Sequence, residues 1–328
     1  MNKHPLGTVK ELWRYPVKSM EGEALEQAQL EKLGMVGDRY WAIKDISSNE
    51  LTTVRKSPKL LKLSASYESE PRAGTVGDSV ASVEITIPDI GRFSSDDDSL
   101  DTHLSNYFKK PISLHPLQPK SNWRFYKLKT ISGEKALKKQ FYSKEALPSL
   151  GSISWSKLIE LSFFATPRGR FYDVYPLHII TSNSTSALEA LEPEGDFQPK
   201  RFRPNIYIQS NEVNEKLEEF DWVGGRLYIG DTIIKCESKT VRCLMPAQPQ
   251  PGIEKDTHVL RALDKYTERH FGINATIIKQ GNICIGDTVY WEPESRFSLR
   301  RFLEPISHCL KNILIKSNLK LIDKISGK

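Results

Sequence analysis

The chain has 328 residues, which exceeds one ordinary hydrophobic core, so its length predicts two domains. Hydrophobic residues make up 38% and charged residues 27%, values typical of a folded protein and not of a disordered one. The formal charge is +6, but residues 296–328 carry eight basic and two acidic residues, which leaves the rest formally neutral. Bulk charge therefore does not support a nucleic-acid partner, and none is expected.

The N-terminus and the cysteines indicate the compartment. No run of about 18 apolar residues occurs, so no membrane-spanning helix is predicted. Pro5 and Gly7 lie where a signal peptide would need its apolar region. The cysteines are too few for a disulfide scaffold and lack zinc-site spacing, which predicts a reducing, cytoplasmic location. They are Cys236, Cys243, Cys284 and Cys309.

The first hundred residues contain short, partly alternating segments rich in β-branched and aromatic residues, which predict strands. These segments are VKELWRYPV, ALEQAQLEK, YWAIKDIS, LKLSASYES and ASVEITIP. Glycines between them predict turns and therefore a small antiparallel sheet or barrel. The stretch SSDDDSLDTHLSNYF then predicts a capped helix with an apolar stripe formed by Leu100, Leu104, Tyr107 and Phe108.

Three prolines between Pro111 and Pro119 predict a domain boundary. From there to about residue 170 the pattern is weak and favours a long excursion packed over the second domain. We therefore expect an N-terminal β-barrel domain at 1–118, a second domain at 119–293, and a basic amphipathic tail at 294–328.

The second part of the chain shows clearer patterns. YPLHIIT and RFRPNIYIQS predict strands, and SNSTSALEALEP predicts a capped helix with Leu188 and Leu191 inward. DTHVLRALDKYTERHF predicts another helix, capped by Asp256. The near-copies LYIGDTIIK and ICIGDTVYW each predict a hairpin or a barrel corner. The predicted fold class is mainly β (α+β), with two β-barrel-like domains and a few peripheral helices.

The tail carries apolar residues at helical spacing with Lys and Arg between them, and Pro305 divides the pattern into two short helices. Three interpretations are open. The tail docks on its own domain, or it contacts an anionic membrane surface or an acidic partner, or it is disordered.

Several familiar catalytic motifs are absent, including the P-loop, the Rossmann fingerprint, H-E-x-x-H and G-x-S-x-G. What remains is a set of cationic and polar residues at predicted strand ends. These are Lys18, Ser19, Arg39, Arg203 and Asn205. Each alone is typical of a solvated edge residue. Together they would suit a phosphate or a fused-ring anion, because Arg binds phosphate bidentately and Lys and Ser add donors.

The stretch KTVRCLMPAQP places Arg242 directly before Cys243. A thiolate suits a thiophilic metal, and a neighbouring guanidinium favours the deprotonated form. A buried structural thiol is the alternative, because free cysteine is among the most buried residue types. His178 lies in an apolar strand, which favours a core histidine over a catalyst.

The chain resembles the MOSC family, in which an N-terminal β-barrel domain precedes the MOSC domain proper, and the resemblance extends to its amidoxime-reducing members. It covers residues 8–292. The matching stretches are VKELWRYPVKSMEGE, KLGMVGDRYWAI, FYDVYPLHIITSNS, RFRPNIYI, VRCLMP, and IEKDTHVLRAL through GDTVYW.

This resemblance implies a molybdenum cofactor, with molybdenum held by a molybdopterin and one protein cysteine. Cys243 matches the molybdenum ligand, and Asp173 matches an acidic residue beside the metal, where it could pass protons. The residues matching the grip on the pterin and its phosphate are Lys18, Ser19, Arg39, Arg203, Asn205 and Arg242.

The implied activity is an oxidoreductase that reduces N-hydroxylated or related oxygenated small molecules. The alternatives are a molybdenum-cofactor or sulfur carrier and a non-catalytic binding module. Electrons would come from a separate donor protein of the reductase, ferredoxin or cytochrome type, because this chain has no cysteine-rich ferredoxin extension. Pyridoxal phosphate is not expected, because the domain that binds it in cofactor sulfurases is missing.

The chain departs from the amidoxime-reducing members at several positions. Thr240 replaces a cysteine, Pro246 and Ala247 replace threonines, and Val174 and Tyr175 replace a Thr-Ser pair. Each lost hydroxyl removes a hydrogen bond worth about 0.5–1.5 kcal/mol. We expect an altered substrate choice or pterin orientation with molybdenum binding retained.

Overall fold

The computed structural model describes residues 3–128 and 153–294, together with 311, 313–315 and 317 of the tail. The strands in this part of the chain are β1 (His4–Arg14), β2 (Glu23–Leu25), β3 (Gln27–Glu31), β4 (Gly34–Met35), β5 (Trp41–Asp45), β6 (Glu50–Leu51), β7 (Ser64–Tyr67), β8 (Val83–Ile87), β9 (Gly91–Ser94), β10 (Ile112–Pro116), β11 (Leu177–Thr181), β12 (Ile206–Ser210), β13 (Arg226–Ile229), β14 (Thr232–Val241), β15 (His270–Lys279), β16 (Gly281–Cys284) and β17 (Thr288–Glu292).

Helices are fewer and lie between the strands. They are α1 (Leu100–Phe108), α2 (Trp123–Tyr126), α3 (Trp155–Phe163), α4 (Ser182–Leu191) and α5 (Thr257–Thr267). Short 3₁₀ turns occur at Pro58–Lys62, Gly77–Ser79, Pro199–Phe202, Glu218–Trp222 and Met245–Ala247. The mainly β fold class predicted from the sequence is confirmed.

The largest sheet is a closed barrel of seven strands in the order β12-β11-β15-β14-β13-β17-β1. β1 closes it by pairing antiparallel with β12, in a register that runs from Gly7 opposite Ser210 to Leu12 opposite Ile206. Gly7 allows this seam, because a Cβ there would lie 2.0 Å from the Gln209 carbonyl oxygen. The first strand of the chain therefore belongs to the same sheet as strands after residue 177.

This shared sheet crosses the predicted boundary at residue 118. β1 supplies two of the barrel's pairings, with β12 and β17, although it lies in the predicted N-terminal domain. The barrel interior is filled by alternating apolar residues such as Ile208, Ile234 and Ile273. The bounds 1–118, 119–293 and 294–328 stay predictions.

β2 pairs with β1 at the edge of the barrel sheet. The remaining nine strands of the described chain form three sheets of three strands, ordered β10-β5-β6, β16-β3-β4 and β7-β8-β9. The first and third enclose a core that contains Val17, Ile43, Ile85 and Leu104. Tyr126 and Phe171 pack into this same core. The expected excursion after residue 119 thus contacts the N-terminal core at Tyr126, because its phenol ring fills that interior.

The two Gly-Asp turns resolve the alternatives that the sequence left open. Gly230 and Asp231 join β13 and β14, which pair with each other, so the first copy is a hairpin. In the second copy β16 pairs with β3, while β17 pairs with β1 and β13, so the turn is a corner between sheets. Whether each Gly-Asp turn forms a hairpin or a corner thus depends on which strands pair with its two flanking strands.

The three helices predicted before the tail are present, with one cap and one face misassigned. The cap predicted for α1 is wrong, because no side chain caps its N-terminus at Ser99. Leu100, Leu104 and Phe108 of α1 are buried, and Asp256 caps α5 by accepting a hydrogen bond from His258 N–H at 2.8 Å. The inward prediction for Leu191 is wrong, because this residue is 48% exposed. It ends α4, beyond the last turn that packs on the barrel.

Most of the predicted tail lies outside the described residues. At Lys311 the tail docks on the body of the protein, because the Lys311 ammonium is buried and donates to the Ile153 carbonyl at 3.0 Å. Within the described chain, every helix is too short or too polar to cross a bilayer.

Candidate active site

The residues predicted from the sequence converge on one cleft of about 150 Å³ at an end of the barrel. Those lining it are Lys18, Ser19, Arg39, Asp173, Arg203, Asn205, Arg242 and Cys243. They are brought together because β1 and β14 end at this rim while β11 and β12 begin there. The strand ends supply residues that are up to 225 positions apart in the chain.

Cations dominate the cleft. Lys18, Arg203 and Arg242 are buried, with only 4%, 4% and 5% of their surface exposed. Arg39 and Arg55 complete the set, and Arg39 pairs with Asp38 behind it. Asp173 is the acidic residue among the lining side chains of the described chain. An excess of buried positive charge attracts an anionic ligand.

Three lining residues have left-handed backbone conformations. The φ angles are 72° at Ser19, 55° at Arg39 and 53° at Arg203. Residues with a Cβ adopt this region at a cost, and such strain concentrates at ligand sites. Ser19 here accepts a hydrogen bond from the Val54 N–H at 3.3 Å through its hydroxyl. Five further non-glycine residues of the described chain share this conformation outside the cleft, so it does not by itself mark the site.

Several buried polar atoms in the cleft have no hydrogen-bond partner within the described chain. They are Arg203 Nη2, Arg242 Nε and Thr240 Oγ1. Each guanidinium is fixed by another of its nitrogens. Arg203 Nη1 donates to the Met20 carbonyl, and Arg242 Nη2 donates to the Phe202 carbonyl at 2.8 Å. Buried donors are normally satisfied, so these atoms favour a ligand with acceptor oxygens or nitrogens.

Both arginines remain cationic. Burial lowers the pKa of Arg203 and of Arg242 to about 10, and each is therefore still protonated at neutral pH. Each guanidinium also faces an aromatic ring, with Arg203 4.1 Å from the centre of Tyr15 and Arg242 5.5 Å from that of Phe202. The rings and carbonyls fix the direction of the free donor atoms.

Cys243 lies two residues after the end of β14 and is a half-buried, free thiol at the cleft. Cys236 is fully buried in the barrel core, and Cys284 lies on β16 away from the cleft lining. Among the cysteines that the structure describes, Cys243 is therefore the one placed to bind a metal in this cleft. Cys309 lies outside the described residues.

Asp173 pairs with the buried Lys18 at 2.5 Å and has Arg55 at 4.0 Å, while 61% of its side chain remains exposed to the cleft. Burial acts to raise the pKa of Asp173, but the Lys18 and Arg55 charges outweigh it and hold that pKa well below its usual range. The carboxyl is therefore ionised at neutral pH and accepts a proton before it can donate one.

His178 lies beneath the cations, as a satisfied core histidine would. Its Nδ1 is 3.4 Å from the Arg203 carbonyl oxygen, and its Nε2 is 3.3 Å from the Phe271 carbonyl oxygen. Burial and the Arg242 charge lower the pKa of His178 to about 3, so the ring is neutral.

The structure adds lining residues that the sequence reasoning missed. They include Thr53, Arg55, Tyr172, Asn274 and Met245. Arg55 belongs to the run TTVRKSPK, which has no pattern to separate it from a solvated basic loop. Only the fold places it 4.0 Å from Asp173.

A closed barrel whose rim carries a thiol among buried cations defines a ligand-binding barrel for an anionic group. Comparison with family models identifies the kind of barrel. Residues 6–106 match the MOSC N-terminal beta barrel domain, and residues 167–290 match the MOSC domain. The chain belongs to the MOSC-domain family.

Curated relatives span most of the chain at low identity. Mitochondrial amidoxime reducing component 2 of Homo sapiens is 26% identical over 309 residues, covering 87% of this chain and 83% of the relative. Mitochondrial amidoxime-reducing component 1 of Homo sapiens is 25% identical with the same coverages. Among solved structures, the YUAD protein from Bacillus subtilis gives a TM-score of 0.41 at 9% identity, covering 90% of this chain and 99% of that one.

Proposed function

We propose that this chain is an oxidoreductase that holds a molybdenum cofactor in the cleft through Cys243 and reduces N-hydroxylated small molecules. The observation that carries the proposal is the half-buried Cys243 thiol in a cleft with unpaired, buried Arg203 and Arg242 atoms. The names of the relatives, amidoxime reducing components, support the reaction class.

The residues present fit such a group. A thiolate is a suitable ligand for a soft transition metal, and Cys243 supplies it. The free Arg203 and Arg242 donors suit the phosphate and the polar ring edge of a pterin. Lys18, Ser19 and Arg39 add polar groups around the same cleft. Asn205 also lines it, but its side-chain amide accepts from the His178 N–H and donates to the Trp13 carbonyl, so it holds the strands in place. When bound, the cofactor supplies the two electrons that reduction of an N–O bond requires.

The protein's own contribution is positioning and proton handling. Reduction of an N–O bond to an amine and water consumes two protons as well as two electrons. Asp173 Oδ1 accepts a hydrogen bond from Lys18 Nζ at 2.5 Å and faces the open cleft. We assign Asp173 to accept a proton from solvent and pass it on, with Lys18 fixing its orientation. The buried cations favour an anionic ligand at this end of the cleft.

The electron donor is proposed to be a separate protein, and the site of action to be cytoplasmic. The proposed reaction does not use pyridoxal phosphate.

Metal analysis of the purified chain tests the ligand assignment. We expect stoichiometric molybdenum and pterin in the wild type, loss of both in Cys243→Ala, and retention in the matched control Cys284→Ala. Cys284 is also a half-buried free thiol but lies outside the cleft. Equal molybdenum in Cys243→Ala and wild type would remove Cys243 as the ligand.

Activity is a separate measurement. The loaded chain is given benzamidoxime and an artificial reductant, and benzamidine formation is followed. Turnover supports the reductase. Full molybdenum content without turnover of benzamidoxime or other N-hydroxylated compounds would favour the cofactor carrier, and absence of any cofactor would favour a non-catalytic binding module.

A further inference from the structure

Helix α3 carries an exposed apolar face. Trp155, Ile159 and Phe163 are 42%, 58% and 57% exposed. They follow one another at four-residue steps, so they lie along one side of the helix. No described residue of this helix is buried. Large exposed apolar faces of this kind mark interaction surfaces.

Two neighbouring segments contact the two ends of α3. The Leu128 N–H donates to the Phe163 carbonyl at 3.0 Å, which ties the chain after α2 to the end of α3. At the opposite end, the Lys311 ammonium lies 5.8 Å from the centre of the Trp155 ring. Each of these segments exposes further apolar side chains. We call the combined surface the apolar rim, made of Trp123, Trp155, Ile159, Phe163, Ile313 and Leu314.

The apolar rim is accompanied by positive charge. Residues 111–128 contain Lys120, Arg124 and Lys127, all exposed, and no acidic residue. The Arg124 guanidinium lies 5.6 Å and the Lys127 ammonium 5.7 Å from the centre of the Trp123 ring. On α3 the charge of Glu160 is offset by Lys157 at 4.0 Å and by Arg168 at 3.6 Å. The surroundings of the rim are therefore cationic.

We propose that the apolar rim is a peripheral docking surface for an anionic lipid membrane. Tryptophan is enriched at the level of lipid headgroups, where its ring is half in water. Isoleucine and phenylalanine insert into the outer acyl region, and exposed Lys and Arg pair with anionic headgroups. An acidic protein partner would also match the cations and could bury apolar side chains. The pairing of exposed Trp123 with Arg124 and Lys127, together with exposed Ile and Phe, is typical of a headgroup-level membrane contact and favours the membrane.

Vesicle binding by the full-length chain tests the surface. The chain is sedimented with vesicles of phosphatidylcholine and with vesicles of equal parts phosphatidylcholine and phosphatidylserine at low ionic strength. We expect binding to the anionic vesicles and release by salt. The double variant Ile159→Ser/Phe163→Ser should bind about tenfold or more weakly, because two inserted apolar side chains are lost. The matched control is Leu191→Ser/Ile278→Ser, whose residues are 48% and 51% exposed on other elements.

Quenching of tryptophan fluorescence by vesicles with brominated acyl chains locates the contact. Trp155→Phe should lose part of the quenching, whereas Trp222→Phe should keep it, since Trp222 is buried. Absence of binding to anionic vesicles, or equal binding by the two double variants, would overturn the proposal. Binding to an acidic protein in place of vesicles, if abolished by Ile159→Ser/Phe163→Ser, would reassign the rim to a protein partner. None of these measurements requires bound cofactor.

Discussion

Lys18 and Asp173 are 155 positions apart in the chain, yet the Lys18 ammonium donates to Asp173 Oδ1 at 2.5 Å and to the Phe171 carbonyl at 2.8 Å. Burial lowers the pKa of Lys18, and the Asp173 carboxylate opposes that shift. The Asp173 carboxylate thus supplies the counter-charge to a buried ammonium at the floor of the cleft. It also joins the chain after β1 to the loop before β11, on opposite sides of the predicted domain boundary.

Replacing Asp173 by Asn should leave this ammonium without its counterion. We expect the free energy of unfolding to fall by about 1–2 kcal/mol at neutral pH. This is less than the usual cost of breaking a fully buried ion pair, because the Asp173 side chain is largely exposed to the cleft. Urea unfolding measures the loss. The depressed folded-state pKa of Asp173 means that its stabilisation is present above the unfolded pKa and is lost as the pH falls through the folded pKa. The wild type and the variant should therefore converge in strong acid.

The control for this variant is Glu84→Gln. Glu84 pairs with Arg92 at 3.6 Å, with side-chain exposures of 41% and 72%, so the change should cost under about 0.5 kcal/mol. Equal losses in the two variants would contradict a special role for the Lys18–Asp173 pair.

Gly272 allows β15 to pack closely against His178, which lies under the cleft. Its φ is 75°, and a Cβ there would lie 2.4 Å from His178 Nε2 and 2.7 Å from the Ile179 carbonyl oxygen. Gly272→Ala should therefore destabilise the chain by about 3 kcal/mol or more, through backbone strain and steric overlap together. Thermal and urea unfolding measure the effect.

Gly286→Ala separates the two contributions. Gly286 has φ 89° but nothing within 4 Å of the added Cβ, so we expect a loss of about 1 kcal/mol from backbone strain alone. If both variants lost the same stability, close packing against His178 would not be what requires glycine at position 272.

Glu219 is a carboxyl group buried outside the cleft. It is 0% exposed, its Oε2 accepts hydrogen bonds from the hydroxyls of Thr181 and Ser184, and its Oε1 has no partner in the described chain. Burial raises the pKa of Glu219 to about 7. Between the unfolded pKa and this value the folded state binds more protons, so its stability should fall as the pH rises.

Glu219→Gln removes this titration. Relative to the variant, the wild type should lose up to about 3 kcal/mol between about pH 4.5 and pH 7. Urea unfolding at intervals across this range gives the two curves. Parallel curves would show that Glu219 does not titrate between these values.

The sequence by itself determined several strands, the Asp256 cap and the identities of the chemical groups. The alternating burial in β8 and the Asp256 cap of α5 could be predicted from the sequence. Side-chain periodicity and capping hydrogen bonds depend only on residues that are close together in the chain. The motifs that contain Lys18, Arg39, Arg203 and Cys243 could also be recognised, because the resemblance to the MOSC family lies in short contiguous stretches of sequence.

Only the tertiary structure decided which of these groups meet. Strand pairing over long separations closes β1 onto β12 and turns one Gly-Asp copy into a hairpin and the other into a corner. The same pairing brings Arg55 beside Asp173. It also leaves Arg203 Nη2 and Arg242 Nε without a hydrogen-bond partner in the described chain. Local propensity carries no information on these contacts, because they depend on which distant strand supplies the neighbouring hydrogen bonds and where each strand ends.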